Sequence, residues 1–275
     1  MIEIRNTDFD LGKIAASGQC FRLTKLSEDE YLLIAGDRLL RLRALPDGAA
    51  FLCGEEEYST LWAPYFDLAG DYLTPRTAIP AKDAFLSAAV TYGQGIRILR
   101  QSPWEMLITF IISQRKNIPA IQKSVEALCR CCGTPLPDGD AIRYAFPTPR
   151  QLAALSPEAL AACSLGYRAR YLKAAAELVN SGTINLTALG NLPDDSLREE
   201  LMKFPGVGVK VANCVLLFGY HRLCGFPRDV WINRIIDTVY GGDFPLEPYA
   251  GFEGIIQQYI FYYARSPECR QKYGF

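Results

Sequence analysis

The sequence predicts an α+β chain: an N-terminal antiparallel β-sheet domain over residues 1–97, then an all-α region over 98–275 built as two helical subdomains. Three observations lead there. Between Asp8 and Cys53 the apolar residues come in short runs, broken by Gly36-Asp37 and Pro46-Asp47-Gly48 where tight turns belong. Beyond Pro103 the apolar spacing changes to the three-and-four period of helices. In that region Thr148-Pro149 and Ser156-Pro157 each set a capping hydroxyl before a proline at the first helical position.

The elements follow in order. Cys20-Phe21-Arg22-Leu23, Tyr31-Leu32-Leu33-Ile34, Leu39-Leu40-Arg41-Leu42-Arg43 and Ala50-Phe51-Leu52 read as strands of an antiparallel meander. Ser17-Gly18, just ahead of them, is a loop when read from the chain alone. Tyr65-Phe66-Asp67-Leu68 and Asp71-Tyr72 are aromatic connectors. Residues 81–92 suit a helix, which Gly93-Gln94-Gly95 ends close to the domain boundary near Arg97. Helices are then expected over 103–113, 118–132, 148–155, 156–163, 167–180, 194–204, 209–220, 230–240 and 251–265, the last free to pack back on a cleft.

Composition narrows the function. The chain has 275 residues, 49% of them hydrophobic, enough for two or three compact units with their own cores. A net charge of -1 excludes a globally basic DNA-coating protein, so any nucleic-acid contact must be a local patch. Nine cysteines, an odd number without a secretory leader, point to reduced thiols and a cytoplasmic protein. No apolar run is long enough to span a membrane. The single histidine, His221, rules out histidine-based triads and His-rich metal sites. Cys129-Arg130-Cys131-Cys132 offers one C-x-x-C spacing without a second pair.

The most informative stretch runs from Leu201 to Asp237. Pro205-Gly206-Val207-Gly208 breaks two helices, and the second helix presents unpartnered backbone N–H groups from Val209 onward, a favourable seat for a phosphate oxygen. Lys210 and Cys214 share a face of that helix, and Asp229 occupies the N-cap slot of the next. The arrangement reads as an amine held against nucleic acid with a carboxylate to steer it; a plain helix turn, a solvated lysine and a capping aspartate fit the same letters. A P-loop is excluded, because Val209 separates Gly208 from Lys210 and Val211 follows. A dinucleotide fingerprint is excluded too, since the turn follows a helix and lacks a third glycine.

Leu-x-x-x-Pro-Gly-Val-Gly-x-Lys-Val-Ala, with an Asp nineteen residues past the Lys, resembles the helix-hairpin-helix and aspartate of the DNA glycosylase superfamily. The lysine marks the bifunctional branch, and the wider chain, from about Asp10 to Arg265, is similar to the eukaryotic-type 8-oxoguanine DNA glycosylases. The resemblance implies roles. Lys210 would be the nucleophile and Asp229 its acidic partner. Gly18 would offer its carbonyl to the target base. Cys214 and Phe261 would stack on the two faces of the base, and Gln257, four residues before Phe261, would read its Watson–Crick edge. Spacing alone favours the plainer reading, Phe261 in the core and Gln257 at the surface. Gly206, Gly208 and Val209 would hold the DNA backbone.

In Leu165-Gly166-Tyr167-Arg168, the resemblance makes Tyr167 the wedge in the vacated stack and Arg168 a reader of the orphaned cytosine. In Ser113-Gln114-Arg115-Lys116-Asn117, Arg115 takes the place of a probing asparagine, with Lys116 and Asn117 beside it as DNA contacts. Two departures stand out. Ala120 replaces a second cytosine-reading arginine, which puts opposite-cytosine stringency in doubt. Trp231 replaces a phosphate-contacting histidine, and its indole N–H can donate but carries no charge.

The expected chemistry is removal of 8-oxoguanine from double-stranded DNA, followed by β-elimination that nicks the strand. Lys210 must attack as a neutral amine, so burial beside apolar groups is required and Asp229 cannot be the source of that neutrality. The resemblance also places a structural monovalent cation on the carbonyls of Met202, Phe204 and Val207. No other cofactor is expected. Too few cysteines follow Cys214, only Cys224 and Cys269, for the C-terminal iron–sulfur loop of some related glycosylases. A monomer with no membrane partner is expected. The competing readings are a monofunctional alkylbase glycosylase, for which Lys210 has no use, and a non-catalytic DNA-binding module, for which Asp229 and the Gln257/Phe261 pair have none.

Overall fold

A computed structural model describes residues 1–274. Five strands make one antiparallel sheet in the order β1-β5-β4-β3-β2: β1 Ile2–Arg5, β2 Leu23–Lys25, β3 Glu30–Ala35, β4 Arg38–Leu45 and β5 Gly48–Phe51. Strands β2 to β5 form the anticipated meander, with Leu33 opposite Leu40 and Leu42 opposite Phe51. The edge strand β1 is an addition, pairing Ile2 with Phe51; at four residues it is too short for its alternation to register. A second correction is the helix Leu11–Ala16 inside the region read as strands. Asp10 starts it by accepting the Lys13 N–H at 2.9 Å. The hairpin of Pro135–Asp138 and Ala141–Tyr144, where two prolines disguise an edge, and the final helix Pro267–Tyr273 are further additions.

The long helices begin and end where their caps dictate. Pro103–Ser113, Ile118–Cys132 and Val230–Tyr240 are opened by Ser102, Asn117 and Asp229, whose side chains accept N–H groups of the first turn. Thr148 and Gln151 form a reciprocal capping box ahead of Pro149–Ala153. Tyr167 and Arg168 lie in a 3₁₀ turn, Gly166–Arg168, ahead of the α-helix Ala169–Asn180.

Two cores result. Phe9, Leu33, Leu40, Phe51, Trp62 and Phe66 fill the space against the sheet, while a larger apolar cluster fills the helical body. Phe85, Leu86, Ala89 and Val90 of the helix Ala84–Gly93 belong to the larger core, although they fall within the 97 residues assigned above to the sheet domain. That helix packs on Glu253–Ala264 so closely that a Cβ on Gly93 would meet the Tyr259 ring at 2.6 Å.

The lone histidine joins the two parts of the chain. His221, in the turn after Val209–Gly219, places its ring 3.3 Å from the Asp67 carboxylate, which also accepts from Arg100 at 2.8 Å and Tyr72 at 3.0 Å. Burial pushes the Asp67 carboxyl up, but His221, Arg100 and Tyr72 outweigh it and the net shift is downward. This buried knot ties the end of that helix to the connector beyond the sheet.

Candidate active site

The hairpin is built from local rules. Leu201 and Phe204 are buried and anchor the incoming helix, Asp194–Met202. Gly206 has φ +80°, and a Cβ there would lie 2.5 Å from the Tyr171 ring, so the turn needs glycine twice over. Its carbonyl accepts from Gln114 Nε2 at 3.0 Å, which ties the turn to the end of Pro103–Ser113. Gly208 differs: its backbone is extended, and nothing in the protein lies within 4 Å of where a Cβ would stand. No side chain caps the helix it opens. The first N–H groups of Val209–Gly219 therefore face outward beside Val209, which is 59% exposed.

At the next residue, Lys210 is half-buried with Nζ 5.4 Å from the centre of the Phe110 ring. Cys214 lies below it, buried, its thiol pushed up by burial and drawn back by the lysine charge. Asp229 accepts the Ile232 N–H at 2.9 Å. Burial pushes its carboxyl up; the Ile232 and Trp231 N–H groups and the charges of Lys210 and Arg265 oppose that without cancelling it.

Lys210, Cys214 and Asp229 line a cleft of about 820 Å³ that also takes Gly18, Gln257 and Phe261 into its walls. Gly18 has φ +79°, and the Phe261 ring would meet an added Cβ at 3.0 Å. Gln257 is 4% exposed and donates from Nε2 to the Pro227 carbonyl at 3.1 Å. That bond orients the amide and leaves Oε1 buried without a partner in the wall of the cleft. An unpaired amide oxygen costs about 1–3 kcal/mol, a cost that an incoming N–H donor removes.

Arg115, Tyr167 and Trp231 stand along the mouth of the cleft. Arg115 is exposed at φ +51°, and Tyr167 is 46% exposed. The Trp231 ring carries the Arg234 guanidinium 5.3 Å above it. Three other expected DNA contacts also bond within the protein, and of these Lys116 and Asn117 line the cleft. Arg168 is buried and outside the cleft lining, and donates to the carbonyls of Gln114 and Leu165 with its guanidinium against the Tyr167 ring. It braces the Tyr167 ring. Lys116 donates to Ser124 Oγ at 2.5 Å and to the Ser164 carbonyl at 2.7 Å. Asn117 caps its own helix by accepting from Ala120 N–H at 3.0 Å. These bonds satisfy backbone and hydroxyl groups distant in the sequence or at a helix start, and residue type alone gave no warning of them.

Arg228, which could make up for the charge that Trp231 lacks, lines the cleft, and sequence reading missed Asn233, Gln258 and Arg265, which line it too. Arg228 donates to Asn233 at 2.9 Å beside Trp231. For Arg265 a signal existed, since it falls four residues past Phe261 and eight past Gln257 on one helical face. Among the described residues no group of three or more His, Cys, Asp or Glu could hold a metal ion.

The sheet domain, the hairpin and a cleft that pairs an amine with a carboxylate define a base-excision DNA repair enzyme. Residues 1–107 match the family of the 8-oxoguanine DNA glycosylase N-terminal domain, and residues 108–245 match the HhH-GPD superfamily of base excision DNA repair proteins. The chain belongs to that superfamily, in its 8-oxoguanine glycosylase branch. A Saccharomyces cerevisiae N-glycosylase/DNA lyase is 37% identical over 68% of this chain; the match spans about half, 53%, of the yeast protein's length. The Clostridium acetobutylicum 8-oxoguanine glycosylase/lyase, solved with double-stranded DNA containing cytosine opposite 8-oxoguanine, superposes with a TM-score of 0.89. It is 34% identical, covering 96% of this chain and 97% of that one. MBOgg1, solved with a low-affinity DNA ligand, also gives 0.89 at 37% identity, covering 94% and 93% of the two chains.

Proposed function

We propose that this protein excises 8-oxoguanine from double-stranded DNA and nicks the abasic strand. The observation that carries this reading is the convergence in one cleft of Lys210 and Asp229 with the orphaned Oε1 of Gln257. The hairpin N–H groups at Gly208–Val209 hold a phosphate, and Tyr167 and Arg115 fill the space left by the extruded nucleotide. The base slides between Phe261 and Cys214, with Gln257 and the Gly18 carbonyl on its edges.

Lys210 Nζ gives its electron pair to C1′ as the C1′–N9 bond breaks, and the departing base takes that bond's electrons and then a proton. Asp229, as a carboxylate, stabilises the positive charge that builds on the sugar. Loss of the amine protons and opening of the ring at O4′ yields a Schiff base. Removal of a C2′ proton then breaks the C3′–O bond, leaving the 5′-phosphate end of the downstream strand. The carbonyls of Met202, Phe204 and Val207 are the donors for a structural monovalent cation; that of Phe204 accepts the Val207 N–H at 3.0 Å and keeps a second lone pair. The protein works as a monomer.

Borohydride trapping tests the nucleophile. Wild-type protein should form a covalent adduct with duplex DNA containing 8-oxoguanine, and Lys210→Gln should form none while still binding the duplex. An adduct in that variant would refute the assignment.

A further inference from the structure

Two of the pocket's walls come from opposite ends of the chain, and side chains bolt them together. Gln258, 2% exposed, donates from Nε2 to the Ser17 carbonyl at 2.9 Å. Arg265, one residue past the helix Glu253–Ala264, donates to the Ala16 carbonyl at 3.2 Å. Two consecutive carbonyls directly ahead of Gly18 are thus held by side chains from the C-terminal region. The Ser17 side chain is fixed as well. Its hydroxyl donates to the Ile14 carbonyl at 2.7 Å and accepts from Gln19 at 3.0 Å.

The bond from Gln258 settles its amide orientation, because the reverse would set oxygen against oxygen. Its Oε1 is then buried without a partner. The donor half of the amide is the half in use. Arg265 makes a second connection, with its guanidinium 5.0 Å from the centre of the Phe261 ring. The Phe261 ring in turn lies over Gly18, 3.0 Å from where a Cβ would stand. The glycine, the stacking ring and the two donors therefore form one contiguous assembly.

Carbonyl placement matters because 8-oxoguanine carries a hydrogen on N7 where guanine carries a lone pair. A carbonyl facing that atom attracts the lesion and repels the normal base, and the contrast fades as the carbonyl loses its place. We propose that Gln258 and Arg265 are positioning residues that aim the Gly18 carbonyl, so that lesion recognition rather than bond breaking depends on them. This rests on the reading of the cleft as an 8-oxoguanine site.

The test compares two single-turnover rates for each variant: excision of 8-oxoguanine, and nicking of a preformed abasic site, which has no base to recognise. Gln258→Met removes the donor at similar volume. It should lower the excision-to-nicking ratio at least tenfold, with nicking changed less than threefold. Arg265→Met should move the ratio the same way, and Arg265→Lys, which keeps a donor for Ala16, should restore at least half of it. An unchanged ratio in Gln258→Met, or both rates falling in parallel, would overturn the proposal and leave the substrate reading intact. Wild-type protein that nicks abasic DNA but leaves 8-oxoguanine in place would refute the substrate reading, and this inference with it.

Discussion

Gly206 and Gly208 lie two residues apart in the same turn, and the structure predicts opposite consequences for substituting them. At Gly206 a Cβ meets the Tyr171 ring at 2.5 Å with φ at +80°. The left-handed backbone costs an L-residue about 1–2 kcal/mol, and forcing the ring aside costs about 1–3 kcal/mol. Gly206→Ala should therefore destabilise by roughly 2–5 kcal/mol. At Gly208 the backbone is extended and the Cβ position is open. Serine there caps a helix a few tenths of a kcal/mol better than glycine, and loss of unfolded-state freedom adds about 0.4–1 kcal/mol. Gly208→Ser should thus raise stability by about 0.5–1.5 kcal/mol.

DNA binding should respond in the reverse sense. The serine oxygen would occupy an N–H group that a phosphate needs, removing one charge-assisted hydrogen bond of about 1.5–3 kcal/mol, or roughly 10- to 100-fold in affinity. Urea denaturation gives the first quantity. Fluorescence anisotropy with an abasic-analogue duplex at fixed salt gives the second, salt being held because phosphate contacts weaken steeply with it. A Gly208→Ser protein that binds like wild type would show that the outward N–H groups do not hold phosphate.

The remaining predictions concern charge. Asp229→Asn keeps an N-cap of equal quality but removes a buried carboxyl whose affinity for protons is raised by burial; it should abolish excision yet melt at a higher temperature than wild type at pH 7. Because the folded state favours the protonated acid, wild type should regain that stability as pH falls through the folded pKa toward the ordinary carboxyl range, closing the gap. Wild-type activity, which needs the carboxylate, should fade on acidification sooner than for an unperturbed aspartate. With Ala120 at the second arginine position and Arg168 bound to carbonyls, excision rates opposite the four bases should differ by less than about tenfold, below the roughly 1–3 kcal/mol that a bidentate arginine contact supplies; a spread beyond a hundredfold favouring cytosine would contradict the position of Arg168.

Much of the fold followed from rules that act within a few residues. Caps at Ser102, Asn117, Thr148 and Asp229 and the breaks around Gly206 are short-range chemistry, so the long helices were legible to within a residue or two. Helical spacing alone likewise puts Lys210 above Cys214 and Gln257 above Phe261. Short elements such as β1 and Leu11–Ala16 offered too few residues for a period to emerge. What the chain could not disclose is which polar groups would find each other across it. Gly18 reaches Phe261, and Gln258 reaches Ser17, only because two cores pack around a shared cleft. Arg168 turned inward for the same reason: backbone carbonyls away from solvent must be satisfied, and which cation satisfies them is decided by packing. Local sequence thus determined the helices and the spacing of the reactive groups, and tertiary structure decided which of those groups are left to meet a ligand.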